Sequence, residues 1–127
     1  MIDAQVVGTV SKAVLETLGD VGKCYNVGDA IYLGESNINH MIKKHKSIYL
    51  KYHDKLPQVI SNPDYIGVND ENGSLEYIKI FSEYIKIAVR VAGDNKLYVR
   101  TMYQVLKSRT DFLVNSGKLK PLTAKKK

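Results

Sequence analysis

The sequence predicts an α+β domain in which N-terminal helices pack on a C-terminal antiparallel (meander) sheet of about four strands. In the first half, apolar residues recur at helical spacing in several segments. In the second half, three long segments alternate between apolar and polar residues and are separated by short turn-forming groups. The length of 127 residues, with 44% hydrophobic and 25% charged residues, suits one domain with one core. We assign residues 1–117 to this domain and residues 118–127 to a basic tail that we expect to be flexible.

The chain begins with a predicted strand, helix and strand. The segment "AQVVGTV" has the composition of a short strand. Ser11 is the candidate N-cap of the helix that follows, and Gly19 is its candidate end. After a loop, "AIYLG" is the second strand candidate.

A longer helical region comes next. Ser36 is the candidate N-cap for "NINHMIKKH", and we expect a break near Lys46 before "SIYLKYHDK" continues the helical pattern. Pro57 suits the first turn of a further short helix. The turn "NPDYIG" then leads into the sheet.

Four strands and a last helix complete the prediction. The strand "YIG" is expected to pair with "LEYIKI", and "YIKIAVRVAG" and "KLYVRTMYQVL" continue the meander. The segment "KSRTDFLVNSGKLK" is a helix candidate that stops at Gly117.

Side-chain alternation predicts one apolar and one cationic face of this sheet. Strict alternation puts Thr101 on the apolar side with Leu97 and Val99, so Thr101 and Arg100 reach one site only if a bulge or a strand end intervenes. A cationic face with tyrosines is either a solvated sheet surface or a platform for nucleic acid. If the registers align, this face carries Tyr77, Lys79, Lys86, Arg90, Tyr98 and Arg100.

Composition bears on membrane association, disulfide bonds and nucleic-acid binding. No apolar run approaches a membrane span and no signal-peptide pattern opens the chain, so we expect a cytoplasmic protein without membrane contact. The lone Cys24 cannot form an internal disulfide. The net charge of +6 falls to +1 without the five lysines of residues 118–127, so charge alone does not establish nucleic-acid binding.

All the histidines lie in one stretch, "NHMIKKHKSIYLKYHDK". On a helical wheel His40 shares the polar side with Lys44, His45 falls on the apolar stripe, and His53 suits packing. Because His40 and His45 are five residues apart and no HExxH or paired-cysteine pattern is present, we expect no metal site. The remaining residue types, namely histidine, arginine, lysine, tyrosine and threonine, suit metal-free RNA cleavage without a cofactor.

The order of "IYLGESNINHMIKKH", "YLKYHDKLPQVISNPDYIG", "LEYIKI", "IKIAVRV" and "LYVRTMYQV" resembles phage and mobile-element nucleases of the barnase/EndoU/colicin/RelE-like group. The resemblance implies that His40 and His45 match the histidine motif and that Thr101 matches the late-strand hydroxyl. It also implies phosphate binding by Arg100 and Lys79. A wheel angle of about 140° separates the two histidines, so we expect only one to be catalytic and favour His45, where the helix stops.

We therefore predict a metal-independent endoribonuclease of toxin type that cleaves RNA, with tRNA as one candidate substrate. The predicted catalytic residues are His45, His40, Thr101 and Arg100, and the predicted substrate-binding residues are Lys79, Arg90, Tyr98 and Lys44. An antitoxin, an immunity protein or a host protein is a candidate partner. One alternative is a non-catalytic phage or mobile-element protein of this fold that inhibits or regulates a host protein; another is a nucleic-acid-binding regulator.

Overall fold

A computed structural model describes residues 4–122 and has the predicted α+β architecture. The helices are α1 (Lys12–Leu18), α2 (Glu35–Tyr52), α3 (Leu56–Ser61) and α4 (Lys107–Asn115), with short 3-10 turns at Gly19–Gly22 and His53–Lys55. The strands are β1 (Gln5–Thr9), β2 (Ala30–Leu33), β3 (Tyr65–Val68), β4 (Leu75–Ile80), β5 (Tyr84–Val91), β6 (Leu97–Val105) and β7 (Lys120–Pro121).

The sheet has seven strands in the order β1-β2-β6-β5-β4-β3-β7, so the prediction of about four strands is wrong. The predicted antiparallel meander forms its centre, from β3 to β6. The two N-terminal strands extend it because β2 pairs in parallel with the start of β6 and β1 pairs with β2. At the opposite edge, the two residues of β7 pair with β3.

Local sequence signals account for most helix ends. The Ser11 side chain accepts a hydrogen bond from the Val14 N–H, and Gly19 ends α1 with a positive φ of 63°. The predicted N-cap Ser36 is wrong, because Gly34 precedes the first residue of α2. There the Asn37 side-chain oxygen accepts the Gly34 N–H at 3.2 Å, which fixes the start of the helix.

The apolar face of the sheet packs against the helices α1, α2 and α3. It contributes Ile85, Ile87 and Val89, each fully buried, to the main core cluster. The cationic-face prediction is wrong for Tyr77 and Lys79, because Tyr77 pairs in register with Ile87 and Lys79 pairs with Ile85. Both side chains therefore point to the apolar side, since paired residues share a face.

The helix α2 bends at His45, whose φ of −142° and ψ of 50° are not helical. This position confirms the predicted break to within one residue. The helix packs against β6, and His45 at the bend stacks on Tyr103 of that strand.

A β-bulge divides β6 into two segments. Ala88 of β5 pairs with Thr101, whereas the next residue, Val89, pairs with Val99, which leaves Arg100 as the extra residue. The bulge moves Thr101 onto the same face as Arg90, whose register partner is Tyr98. The prediction that Thr101 shares the apolar face with Leu97 and Val99 is therefore wrong, and the bulge that would bring Thr101 and Arg100 together is present.

The last described segment returns to the sheet after α4. Gly117 follows the helix with a φ of 84°, as predicted for its stop. Residues 118–122, which the sequence assigns to the tail, include β7 and the buried Leu119 and Leu122. Residues 123–127, the rest of the predicted flexible tail, lie outside the described residues. Among residues 4–122, no helix combines the length and apolar content that a membrane span requires.

Candidate functional site

An open cleft of about 390 Å³ lies between the first turns of α2 and the polar face of the sheet. Three separate parts of the chain line it: the start of α2, the turn between β3 and β4, and the strands β5 and β6. The lining residues are Ser36, Asn37, His40, Asn72, Ser74, Ala88, Arg90, Arg100 and Thr101.

The floor of this cleft is a small side chain. Ala88 lies in the middle of a row across three strands, with Thr101 on one side and Glu76 on the other. The Glu76 carboxylate pairs with Lys86 and does not line the cleft, so the methyl group of Ala88 leaves the space beside Thr101 open. A larger residue at position 88 would fill this space.

The lining of the cleft is cationic. Arg90 and Arg100 both reach it, and the described lining residues include no acidic side chain. Arg100 is exposed, and Arg90 is half-buried. A guanidinium presents several donors in a fixed plane that suits phosphate oxygens. The cleft can therefore attract and orient a phosphate group.

The two predicted histidines occupy different surroundings. His40 is exposed and lines the cleft with Arg100 and Thr101. His45 is half-buried instead and stacks on the Tyr103 ring, with centroids 5.4 Å apart and an angle of 24° between the planes. The expectation that His45 is the catalytic histidine stays a prediction, but the structure brings His40, not His45, to the predicted threonine and arginine.

A second groove of about 440 Å³ lies next to the cleft, beneath α4. Its charges are largely paired: Lys86 lies 3.2 Å from Glu76, and Lys118 lies 2.7 Å from Asp70. The side chains of Lys86 and Glu76 are only 12% and 11% exposed, so this pair is shielded from solvent. The groove also contains Arg109 and Glu71, so it lacks the positive excess of the cleft.

The remaining predicted substrate-binding residues are dispersed. Lys79 lies away from the cleft and donates to the Asn62 carbonyl oxygen at 2.9 Å. Lys44 is exposed on α2, one turn after His40. Tyr98 is half-buried on the polar face of the sheet, and its hydroxyl donates to Asp94 at 2.8 Å. This hydrogen bond raises the pKa of the Tyr98 phenol above its usual value.

Sequence reasoning missed the residues that complete the cleft, including Ser36, Asn37, Asn72 and Ser74. Two of these belong to the turn between β3 and β4, where the Asn72 side chain accepts the Ser74 N–H at 2.9 Å. The only sequence signal was their turn-forming composition, which does not indicate proximity to His40. Within residues 4–122, no group of three or more His, Cys, Asp or Glu side chains is placed to hold a metal ion.

The fold and the cleft together define an α+β domain in which His40 of α2 shares a cleft with Arg90 and Arg100 on the polar face of a mostly antiparallel sheet. Residues 5–111 match the sequence model of the family described as phage-Barnase-EndoU-ColicinE5/D-RelE like nuclease3. The chain belongs to this family, which confirms the resemblance and identifies a nuclease-like domain. Neither curated proteins nor solved structures give a significant match.

Proposed function

We propose that the protein is a metal-independent endoribonuclease of toxin type and that RNA is cleaved in the cleft beside His40. The observation that carries the proposal is the convergence of His40, Arg90, Arg100 and Thr101 in one cationic cleft of a nuclease-family domain. These residues come from the three elements α2, β5 and β6.

The reaction requires movement of two protons and stabilisation of negative charge. A base removes the proton from a ribose 2′-hydroxyl, and the resulting oxygen attacks the adjacent phosphorus. The bond from phosphorus to the 5′-oxygen breaks, an acid protonates that oxygen, and the product carries a 2′,3′-cyclic phosphate. His40 can take either proton role because an imidazole has one ring nitrogen that accepts a proton and one that donates.

The cations and hydroxyl of the cleft suit the charged intermediate. Arg90 and Arg100 would bind the non-bridging phosphate oxygens, and Thr101 would donate a hydrogen bond to one of them. The half-buried environment of Arg90 and Thr101 strengthens such interactions relative to open solvent. A tRNA is one candidate substrate, and an antitoxin, an immunity protein or a host protein is a candidate partner.

The test is incubation of the purified protein with labelled tRNA and mixed-sequence RNA in excess EDTA. The wild type should release fragments with 2′,3′-cyclic phosphate ends. His40→Ala should slow cleavage by about 10²- to 10⁴-fold, the usual contribution of a general acid or base. Arg100→Ala and Thr101→Ala should slow it as well.

His53→Ala is the matched control, because His53 is also a histidine near α2 but stacks on Tyr49, with ring centroids 5.0 Å apart. It should cleave like the wild type. Loss of activity in His45→Ala with normal activity in His40→Ala would move the reaction to the Tyr103 side. Folded wild-type protein that cuts neither substrate would refute the enzyme and favour the non-catalytic alternative, in which the domain binds a host protein or regulates through nucleic-acid binding.

A further inference from the structure

Two tyrosines lie side by side on the polar face, beyond the cleft. Tyr32 of β2 and Tyr98 of β6 are register partners, and their ring centroids are 5.7 Å apart with an angle of 36° between the planes. Both side chains are half-buried. Tyr98 is also the register partner of Arg90, which lines the cleft. The pair therefore adjoins the proposed phosphate site directly.

We propose that Tyr32 and Tyr98 form a base-stacking subsite for single-stranded RNA. A strand with its phosphate in the cleft would place a neighbouring base on these rings. The inference rests on the proposed function, and it defines the substrate as an unpaired segment of RNA, because only unstacked bases can reach an aromatic platform.

The distribution of charge favours an RNA path from the cleft toward the two tyrosines over a path through the groove beneath α4. The cleft lining contains two arginines and, among the described residues, no acid, whereas the groove contains acidic side chains that pair with its lysines. On the tyrosine side, Lys96 is exposed and its Nζ lies 5.3 Å from the centroid of the Tyr32 ring, while the Asp94 carboxylate accepts the Tyr98 hydroxyl. The flexible Lys96 side chain can move from the ring to a phosphate when a base arrives.

The other tyrosine near the cleft is already covered. The Tyr103 ring stacks with His45, and the Nζ of Lys86 lies 5.7 Å from its centroid. Tyr98 is held differently, because its hydroxyl donates to Asp94 and its ring lies beside the Tyr32 ring, so the two rings form one aromatic surface. On the polar face, a base would therefore stack on the Tyr32 and Tyr98 rings rather than on the Tyr103 ring.

The spacing along β6 suits adjacent nucleotides. Tyr98 precedes Thr101 by three residues, or about 10 Å at roughly 3.3 Å per residue, and the bulge at Arg100 shortens this distance. A phosphate at Thr101 and a base on Tyr98 can therefore belong to nucleotides that are close in one extended strand.

The test uses fluorescence anisotropy with a short single-stranded 2′-O-methyl oligoribonucleotide, which lacks the attacking hydroxyl and stays intact. Tyr32→Ala and Tyr98→Ala should each weaken binding by about 5- to 140-fold, the range for loss of one base-aromatic stack. The corresponding phenylalanine variants keep the ring and should bind nearly as the wild type does. Tyr84→Ala is the matched control, because Tyr84 is a half-buried tyrosine at the opposite end of β5.

A second readout does not depend on the stability of the variants. Oligonucleotides that carry the fluorescent base 2-aminopurine should lose fluorescence when that base stacks on the wild-type protein, and a fully base-paired duplex should bind more weakly. Unchanged affinity in both alanine variants, or equal weakening by Tyr84→Ala, would overturn the stacking subsite even if RNA is cleaved. A wild type that neither binds nor cleaves RNA would instead refute the proposed function itself.

Discussion

Replacement of Tyr77 by phenylalanine should stabilise the protein. Tyr77 is 0% exposed, and its hydroxyl has no hydrogen-bond partner among residues 4–122. A buried polar group without a partner costs about 1–3 kcal/mol of desolvation. Phenylalanine keeps the ring and removes the hydroxyl, so we expect the free energy of unfolding to rise by about 1–2 kcal/mol after a small allowance for the space left behind.

The same change at Tyr25 should have the opposite sign. Tyr25 is also buried, at 7% exposure, but its hydroxyl donates to the Gly73 carbonyl oxygen. Tyr25→Phe removes this hydrogen bond and leaves the carbonyl to find another partner, which should cost about 0.5–1.5 kcal/mol. The two variants differ only in whether the lost hydroxyl had a partner.

Urea unfolding at neutral pH, followed by circular dichroism, measures both free energies, provided that the slopes with denaturant agree. A Tyr77→Phe protein that is less stable than the wild type would refute the reasoning. Such a result would mean that the hydroxyl makes a favourable interaction in solution.

The pH dependence gives a second measurement of the same side chain. Burial raises the pKa of the Tyr77 phenol above its usual value of 10.0. Because the folded pKa is the higher one, the unfolded chain loses the phenol proton at a lower pH than the folded protein does. The free energy of unfolding is therefore unaffected by this ionisation below the unfolded pKa and falls as the pH rises above it. The advantage of Tyr77→Phe should therefore grow above pH 10.

Two further substitutions test the fold. Gly67→Ala would place a Cβ against the Lys118 carbonyl oxygen and should cost about 1–3 kcal/mol in urea unfolding. In Gly93→Ala the Cβ meets nothing within 4 Å, so this variant should be neutral or slightly stabilising. Equal stabilities of the two variants would contradict the close approach of the Lys118 backbone to β3. Hydrogen bonds from Tyr52 and then Lys51 lower the pKa of the Glu83 carboxyl, so its contribution is present above the unfolded pKa and is lost as the pH falls through the folded one. Glu83→Gln should then be less stable near neutrality and equal to the wild type in acid, and a constant difference across a pH series of thermal unfolding would count against this.

The sequence predicts the central meander because its signals are local. Burial alternates regularly along β5, and short turns join β4, β5 and β6. The segments of β1 and β2 were predicted as strands, but their place in the sheet was not, because β2 pairs with the distant strand β6. The strand β7 was missed because it has two residues and pairs with the distant strand β3. The number of strands in a sheet is therefore harder to predict than its central order.

Some residues of the candidate site could also be predicted from the sequence. The family resemblance indicated His40, Arg100 and Thr101, the predicted cationic face indicated Arg90, and the structure brings all four to one cleft. The facing of Thr101 was not predictable from alternation, because the extra residue Arg100 in β6 reverses it. Lys79 was wrongly placed on the cationic face, because its pairing with Ile85 directs its side chain to the apolar face.

The extra residue at Arg100 also determines how β6 would respond to the deletion of a residue. Val99 and Thr101 pair with the adjacent residues Val89 and Ala88, so deletion of Arg100 would restore regular pairing without rotating either segment of β6. Leu97, Val99 and Met102 would stay in the core, and the cleft would lose one guanidinium. A substitution at position 100 keeps the bulge, whereas deletion of a residue within either regular segment of β6 would place an apolar side chain on the polar face.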